Sequence, residues 1–299
     1  MSGPPSEETR QETVPVRGES VPVTTIDPPP GAATRGDALF LHGYARHPID
    51  YADLLQEVAR RGRRVVAPFL FANNGLHHPP TTFWACAALA HRTVQALRDA
   101  GRLDPGAPVF GHSTGGAVGL TLGTLDPAPP GLFAINPVQP SARRAPAMML
   151  SSAWMNTKMG LGLAGEGHRA RRVLRDSSGR FYGNWLRKPR AAVGLIGGLR
   201  AFTYERLLRW YRPHVPSDVP VRVVYGVGDE FYPSTEGLEE GLGRVFSRCD
   251  LVRLETENSH EWLMIRPEKA VDELERFLGE DAPYNPGSER SGRTRPGPR

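Results

Sequence analysis

Ser113, Asp229 and His260 supply a hydroxyl, a carboxylate and an imidazole, in that chain order. Together such groups can run acyl transfer. A serine hydroxyl is a poor nucleophile at neutral pH, so an imidazole must take its proton as it attacks. A carboxylate on the other ring nitrogen selects the tautomer and stabilises the imidazolium that forms. The tetrahedral oxyanion then needs two aimed donors, and the backbone N–H groups of Tyr44 and Thr114 stand at the right positions.

The serine lies in Val109-Phe110-Gly111-His112-Ser113-Thr114-Gly115-Gly116-Ala117. This stretch reads as a short strand, a tight turn and a helix opening on small residues, the layout of a nucleophile elbow. Gly111 and Gly115 would let strand and helix approach without a Cβ between them. The helix would turn its free N–H groups and positive dipole end toward the site. In a chain with 33 Gly among 299 residues the five-letter pattern alone is weak, so its context must carry the argument.

That context is strand–helix alternation. Thr13 to Ile26 reads as a hairpin around Arg17-Gly18-Glu19, with prolines that confine it to a sheet edge. Ala38–Leu41, Arg64–Pro68, Pro108–Phe110, Gly131–Asn136, Val221–Tyr225 and Asp250–Leu254 read as strands. Helices are expected over 51–59, 83–100, 115–125, 235–247 and 267–278, several of them stopped by glycine. The alternation predicts a parallel sheet covered on both faces. In such a sheet chemistry collects at the carboxyl ends of the strands. The polar residues expected there are His42-Gly43-Tyr44, Ser113, Gly226-Val227-Gly228-Asp229-Glu230 and Asn258-Ser259-His260-Glu261-Trp262.

On these motifs the chain resembles the α/β-hydrolases over roughly residues 13 to 280. The resemblance rests on His42-Gly43, Gly111-His112-Ser113-Thr114-Gly115-Gly116, Gly228-Asp229 and His260. It implies a doubly wound, mostly parallel α/β sheet, with Ser113 as nucleophile, Asp229 as acid and His260 as base. It also implies that residues 138–212, inserted after the strand ending at Asn136, form a helical lid. The core is then 12–137 and 213–281, flanked by disordered segments 1–11 and 282–299. One departure stands out. Many relatives carry Asp-x-x-Gly-x-Gly after the second core strand, where this chain has Phe71-Ala72-Asn73-Asn74-Gly75.

The expected activity is hydrolysis of a carboxylic ester through an acyl-enzyme, with no metal and no organic cofactor. The same triad would serve a thioesterase or amidase, and the scaffold also hosts cofactor-free lyases and haloperoxidase-like enzymes. A non-catalytic receptor is the alternative from another class, and an intact triad argues against it. Among rival residues, Glu230, Asp218 and Asp250 are fallback acids, and His214 sits in a Pro-flanked linker. His77 and His78 lack further ligands at metal-like spacing. Gly160-x-Gly162-x-x-Gly165 matches a dinucleotide fingerprint by letters, but no strand precedes it.

No apolar run approaches the ~18 residues of a membrane span, and the N-terminus shows neither a basic nor an apolar signal-peptide region. With only Cys86 and Cys249 there is no disulfide framework, and Cys86, in an apolar helical pattern, is expected to be a buried thiol. A cytoplasmic protein is the expectation. Charge is uneven: residues 138–212 hold 15 Arg and Lys against three acids, while the remainder balances to −7. Clusters such as Arg169-Arg171-Arg172-Arg175 and Arg187-Lys188-Arg190 read first as a solvated lid face, and if the lid covers the pocket they would favour an anionic acyl substrate. No recognition motif points to nucleic acid.

Overall fold

Arg17 and Gly18 both take positive φ, 47° and 83°, the backbone a two-residue hairpin turn needs to match strand twist. They join β1 (Thr9–Val16) to β2 (Glu19–Ile26) as an antiparallel pair. Val14, Val16, Val21 and Val23 are buried while their neighbours in β1 face solvent. The strand starts at Thr9, earlier than the composition suggests, because Thr9–Gln11 pair in the ladder with Thr24–Ile26 while their side chains stay exposed. An edge strand with exposed side chains needs no apolar signature.

The computed structural model describes residues 9–43, 46–70, 80, 83–137, 217–227, 229, 238–257 and 260–280. The expected lid, 138–212, lies outside the described residues, as do most of 1–11 and all of 282–299.

Beyond the hairpin come β3 (Asp37–Leu41), α1 (Ala52–Arg60), β4 (Arg64–Pro68), α2 (Phe83–Asp99), β5 (Val109–His112) and α3 (Thr114–Leu122). They are followed by β6 (Leu132–Ile135), β7 (Val221–Gly226), α4 (Leu238–Gly243), β8 (Cys249–Leu254), α5 (Trp262–Ile265) and α6 (Pro267–Glu280). The strands form one sheet in the order β1-β2-β4-β3-β5-β6-β7-β8. The pairs from β4 to β8 are all parallel, and β1–β2 and β2–β4 are antiparallel. This is the doubly wound, mostly parallel sheet that the strand–helix alternation predicts.

Period-2 alternation in buried strands gives each face its own core. Leu39, Leu41, Val66, Val109 and Val223 face one way, packed with α2, α3 and Phe246 after α4. Phe40, Val65, Phe110, Phe133 and Val224 face the other, against α1, α5 and α6. Cys86 belongs to the first core, where burial pushes its thiol up to about 12. Both cysteines are free.

After β3 the chain crosses to β4 on one side, then returns to place β5 on the other side of β3. Strand order therefore reverses between β3 and β5, and a crevice opens at their carboxyl ends. Gly43 and Ser113 come from those two ends.

Candidate active site

Ser113 links β5 to α3 with φ 55° and ψ −121°, a conformation that costs about 1–3 kcal/mol in a non-glycine residue. Its surroundings hold it there. The Ser113 N–H donates to the Ile135 carbonyl at 3.0 Å, and its own carbonyl accepts from Ala117 N–H at 3.1 Å. The side chain makes no capping bond to α3, so the hydroxyl is not spent on the helix whose first N–H groups it adjoins. The glycines are steric requirements. A Cβ on Gly115 would lie 2.0 Å from the Leu41 carbonyl oxygen, and one on Gly111 would lie 2.7 Å from the Gly115 carbonyl carbon.

His260 and Asp229 meet. His260 Nδ1 lies 2.9 Å from Asp229 Oδ2 with both side chains buried. The carboxylate can only accept, so Nδ1 carries the proton and Nε2 is the basic nitrogen. The ring of His260 lies 4.7 Å from that of His112, centroid to centroid. Since His112 precedes Ser113, the imidazole stands beside the elbow. Asp229 is itself set by a bond from its N–H to the Gly226 carbonyl at 3.1 Å. The fallback acids described stand elsewhere. Asp218 is exposed ahead of β7, and Asp250 pairs with Arg222 across the β7–β8 ladder at 2.7 Å.

Thr114 is the first residue of α3 and is buried. Tyr44, Gly228, Glu230, His77, His78 and His214 lie outside the described residues. Among the described residues no group of three or more His, Cys, Asp or Glu side chains could hold a metal ion.

The backbone of His260 is held as closely as its ring. Its carbonyl accepts from His112 Nε2 at 3.0 Å and from Asn136 Nδ2 at 2.9 Å. Asn136, fully buried at φ 43°, accepts on Oδ1 from Gly226 N–H at 3.2 Å and Trp262 Nε1 at 3.4 Å. One amide thus ties β6, the loop that leads to Asp229 and the loop that carries His260 together. On the other side of the elbow, Tyr51 Oη lies 2.8 Å from His112 Nδ1 and accepts from Gly43 N–H at 3.0 Å.

Buried charge is matched. Arg46 pairs with Glu261 at 2.6 Å. Burial alone would push the Glu261 carboxyl up, but Arg46, with His112 and His260 nearby, brings it down to about 2. Burial, and then His260, push His112 down to about 3, so its imidazole is neutral. His42 is lowered to about 4, chiefly by burial. Its Nε2 accepts from Leu70 N–H at 3.2 Å, which leaves Nδ1 to donate to the Gly43 carbonyl at 2.8 Å.

A family model described as the alpha/beta hydrolase family matches residues 38–274, from β3 into α6. The chain belongs to the alpha/beta hydrolase family. Its solved structural neighbours agree in fold. An epoxide hydrolase from Vigna radiata superposes with a TM-score of 0.66 at 18% identity, covering 91% of this chain and 98% of that one. Potato (Solanum tuberosum) epoxide hydrolase I gives 0.65 at 14% identity, over 91% and 100%. A thioesterase domain from the curacin biosynthetic pathway gives 0.59 at 16% identity, over 91% and 99%. No curated protein matches the chain.

Within this alpha/beta hydrolase, sequence reasoning left out Asn136, Tyr51 and the Arg46–Glu261 pair. Asn136 carried a usable signal, since it is the polar residue that ends β6 and so obeys the strand-end rule. Tyr51 and Arg46 carried none, because their partners lie 61 and 215 residues away.

Proposed function

We propose that this alpha/beta hydrolase is a serine hydrolase that cleaves a carboxylic ester through an acyl-enzyme. The observation that carries the reading is the Asp229–His260 bond beside an elbow occupied by a serine. Ser113 attacks the acyl carbon while His260 Nε2 takes its proton. Asp229 keeps the ring in the required tautomer and stabilises its cationic form. Thr114 N–H at the start of α3, with Tyr44 N–H, receives the oxyanion. His260 then protonates the leaving alkoxide. In the second half it activates water, which releases the acid and frees Ser113.

The neighbours include epoxide hydrolases, yet a serine nucleophile favours acyl chemistry. Opening an epoxide with a serine would leave an ether on the enzyme, and attack of water on that ether would have to expel an alkoxide from saturated carbon. Attack on a carbonyl leaves an ester, which the same base can hydrolyse. A thioester fits the same machinery, and the thioesterase neighbour makes it the natural second substrate class. Neither step asks for a metal or an organic cofactor.

The basic segment 138–212 is read as a lid over the core formed by 12–137 and 213–281. Its excess of 12 positive charges favours an anionic acyl substrate through long-range attraction. Among the described residues no helix is long and apolar enough to cross a membrane, and a cytoplasmic enzyme acting on a small molecule is the reading adopted.

The test is turnover of p-nitrophenyl esters and acyl thioesters of graded chain length by wild type and Ser113→Ala. Hydrolysis that Ser113→Ala abolishes supports the reading, and the preferred series separates ester from thioester. A carboxylated ester should lose its advantage over a neutral analogue as salt rises. Equal salt dependence for the two removes the anionic preference.

A further inference from the structure

The polar groups around the elbow form one chain whose direction is dictated at every link. The His260 carbonyl can only accept, so His112 Nε2, 3.0 Å away, carries the proton. His112 is fully buried and neutral, so its Nδ1 must be an acceptor. The Tyr51 hydroxyl, 2.8 Å from that nitrogen, therefore donates to it. Its oxygen is left to accept the Gly43 N–H at 3.0 Å. Burial raises the Tyr51 phenol well above its ordinary value, so the hydroxyl keeps its proton.

The chain starts and ends beside the reacting atoms. A Cβ on Gly43 would lie 2.8 Å from Tyr51 Oη, 3.3 Å from His112 Nδ1 and 3.4 Å from the Cβ of Ser113. Gly43 thus lies between the Ser113 side chain, which an added Cβ would meet, and the tyrosine, which its N–H bonds directly. Its N–H is already engaged by Tyr51 and is not a donor for the oxyanion. The tyrosine ring is clamped edge-on against Phe40, with centroids 4.9 Å apart, so its hydroxyl has little freedom to wander.

We propose that Tyr51 and His112 are positioning residues that hold the Gly43 backbone in register with the carbonyl of His260 across Ser113. They touch neither substrate nor the migrating proton. They act by keeping the loop on the oxyanion side and the loop of the base at one spacing about the nucleophile. Displacement of about an ångström at such a site is enough to cost about 100-fold in rate. The proposal rests on the serine-hydrolase reading above.

Tyr51→Phe removes only the hydroxyl and keeps the ring that packs on Phe40. The experiment compares wild type, Tyr51→Phe, His112→Leu, the double variant and Ser113→Ala on a p-nitrophenyl ester. Each is also titrated with a trifluoromethyl ketone, which forms a hemiketal oxyanion, and with the matching alcohol, which cannot. Tyr51→Phe should lower kcat about 10- to 100-fold with KM little changed. It should weaken the ketone by a similar factor and leave the alcohol unaffected. The double variant should be no worse than the poorer single, because the two residues act as one chain.

An unchanged kcat in Tyr51→Phe overturns the proposal, and so does equal weakening of ketone and alcohol. Nitrogen NMR of the histidines in the wild type gives a second check that needs no variant to fold. His112 should be neutral with its proton on Nε2, and a proton on Nδ1 would break the chain. If Ser113→Ala retains full activity, the serine reading falls and takes the proposal with it. Loss of activity in Ser113→Ala beside a normal Tyr51→Phe overturns the proposal alone.

Discussion

Arg46 and Glu261 form a salt bridge of 2.6 Å in which the two side chains are only 4% and 7% exposed. Arg46 stands on the loop after β3, where its N–H also donates to the Gly43 carbonyl at 3.2 Å. Glu261 follows His260 directly. The pair therefore pins the loop after β3 to the loop that carries His260.

Removing one partner strands a buried charge, so Arg46→Met alone should cost about 3–5 kcal/mol of stability. Arg46→Met combined with Glu261→Leu should return to within about 1–2 kcal/mol of wild type, since matched apolar groups avoid the desolvation cost. Urea denaturation of the three variants checks both values. A double variant as unstable as the single one would show that the site needs charge rather than fit.

Acid should destabilise the protein well before its carboxylates titrate. His112 and His42 are held to about 3 and about 4, whereas an unfolded histidine titrates near 6.5. Between those values the unfolded chain binds protons that the folded chain refuses, so stability rises with pH and is lost as pH falls below about 6.5. Each histidine should contribute a slope of about 1.4 kcal/mol per pH unit between about pH 6 and 4. Glu261 adds to this lower down. Its depressed value means that its contribution is full above about 4.3 and fades as pH approaches about 2. His42→Gln should flatten the slope by one proton's worth in denaturation measured at several pH values. An unaltered slope would mean that His42 is not the buried neutral group described.

The sheet was legible because buried parallel strands are short apolar runs between glycine and polar stops, and six such runs stand out. The positions of Ser113, Asp229 and His260 followed from strand ends in the same way. What was not legible is the frame around them. A hydrogen bond from Tyr51 to His112 leaves no periodic trace, and although Asn136 could be read as a polar strand end, its bond to the His260 carbonyl could not. The start of β1 at Thr9 was hidden for a related reason, since the edge strand pairs by backbone while Thr9–Gln11 stay exposed. The expected helix over 235–247 also stops early, with 244–247 outside it. The described helix is Leu238–Gly243, and the turn after it drives Val245 and Phe246 into the core.

Two glycines on α3 should behave oppositely. Gly115→Ala would put a Cβ against backbone at 2.0 Å, with no flexible atom to yield, and should abolish folding or the elbow geometry. At Gly119 a Cβ meets Val109 and Leu41 side chains at 3.6 and 3.8 Å, ordinary contact distances. Gly119→Ala should therefore be stabilising by up to about 1 kcal/mol through helix propensity. Thermal denaturation of the two variants reads the contrast, and a tolerated Gly115→Ala would contradict the close approach of α3 to β3.

The triad should act as a unit. Ser113→Ala and His260→Ala should each lower kcat about 1,000-fold or more, and the double change should add little to that. Asp229→Asn should be equal or milder. Steady-state kinetics on one ester suffices. Full activity in Asp229→Asn beside an inactive Glu230→Gln would move the acid to the neighbouring residue.

The most direct measurement is the mass of the intact protein quenched in acid during turnover of p-nitrophenyl acetate, followed by peptide mapping. The account predicts one added acetyl group, located on Ser113, absent in Ser113→Ala and accumulating in His260→Ala only at a much reduced rate. Turnover with no acylated species at any quench time, or an acetyl group on another residue with Ser113 unmodified, would contradict it.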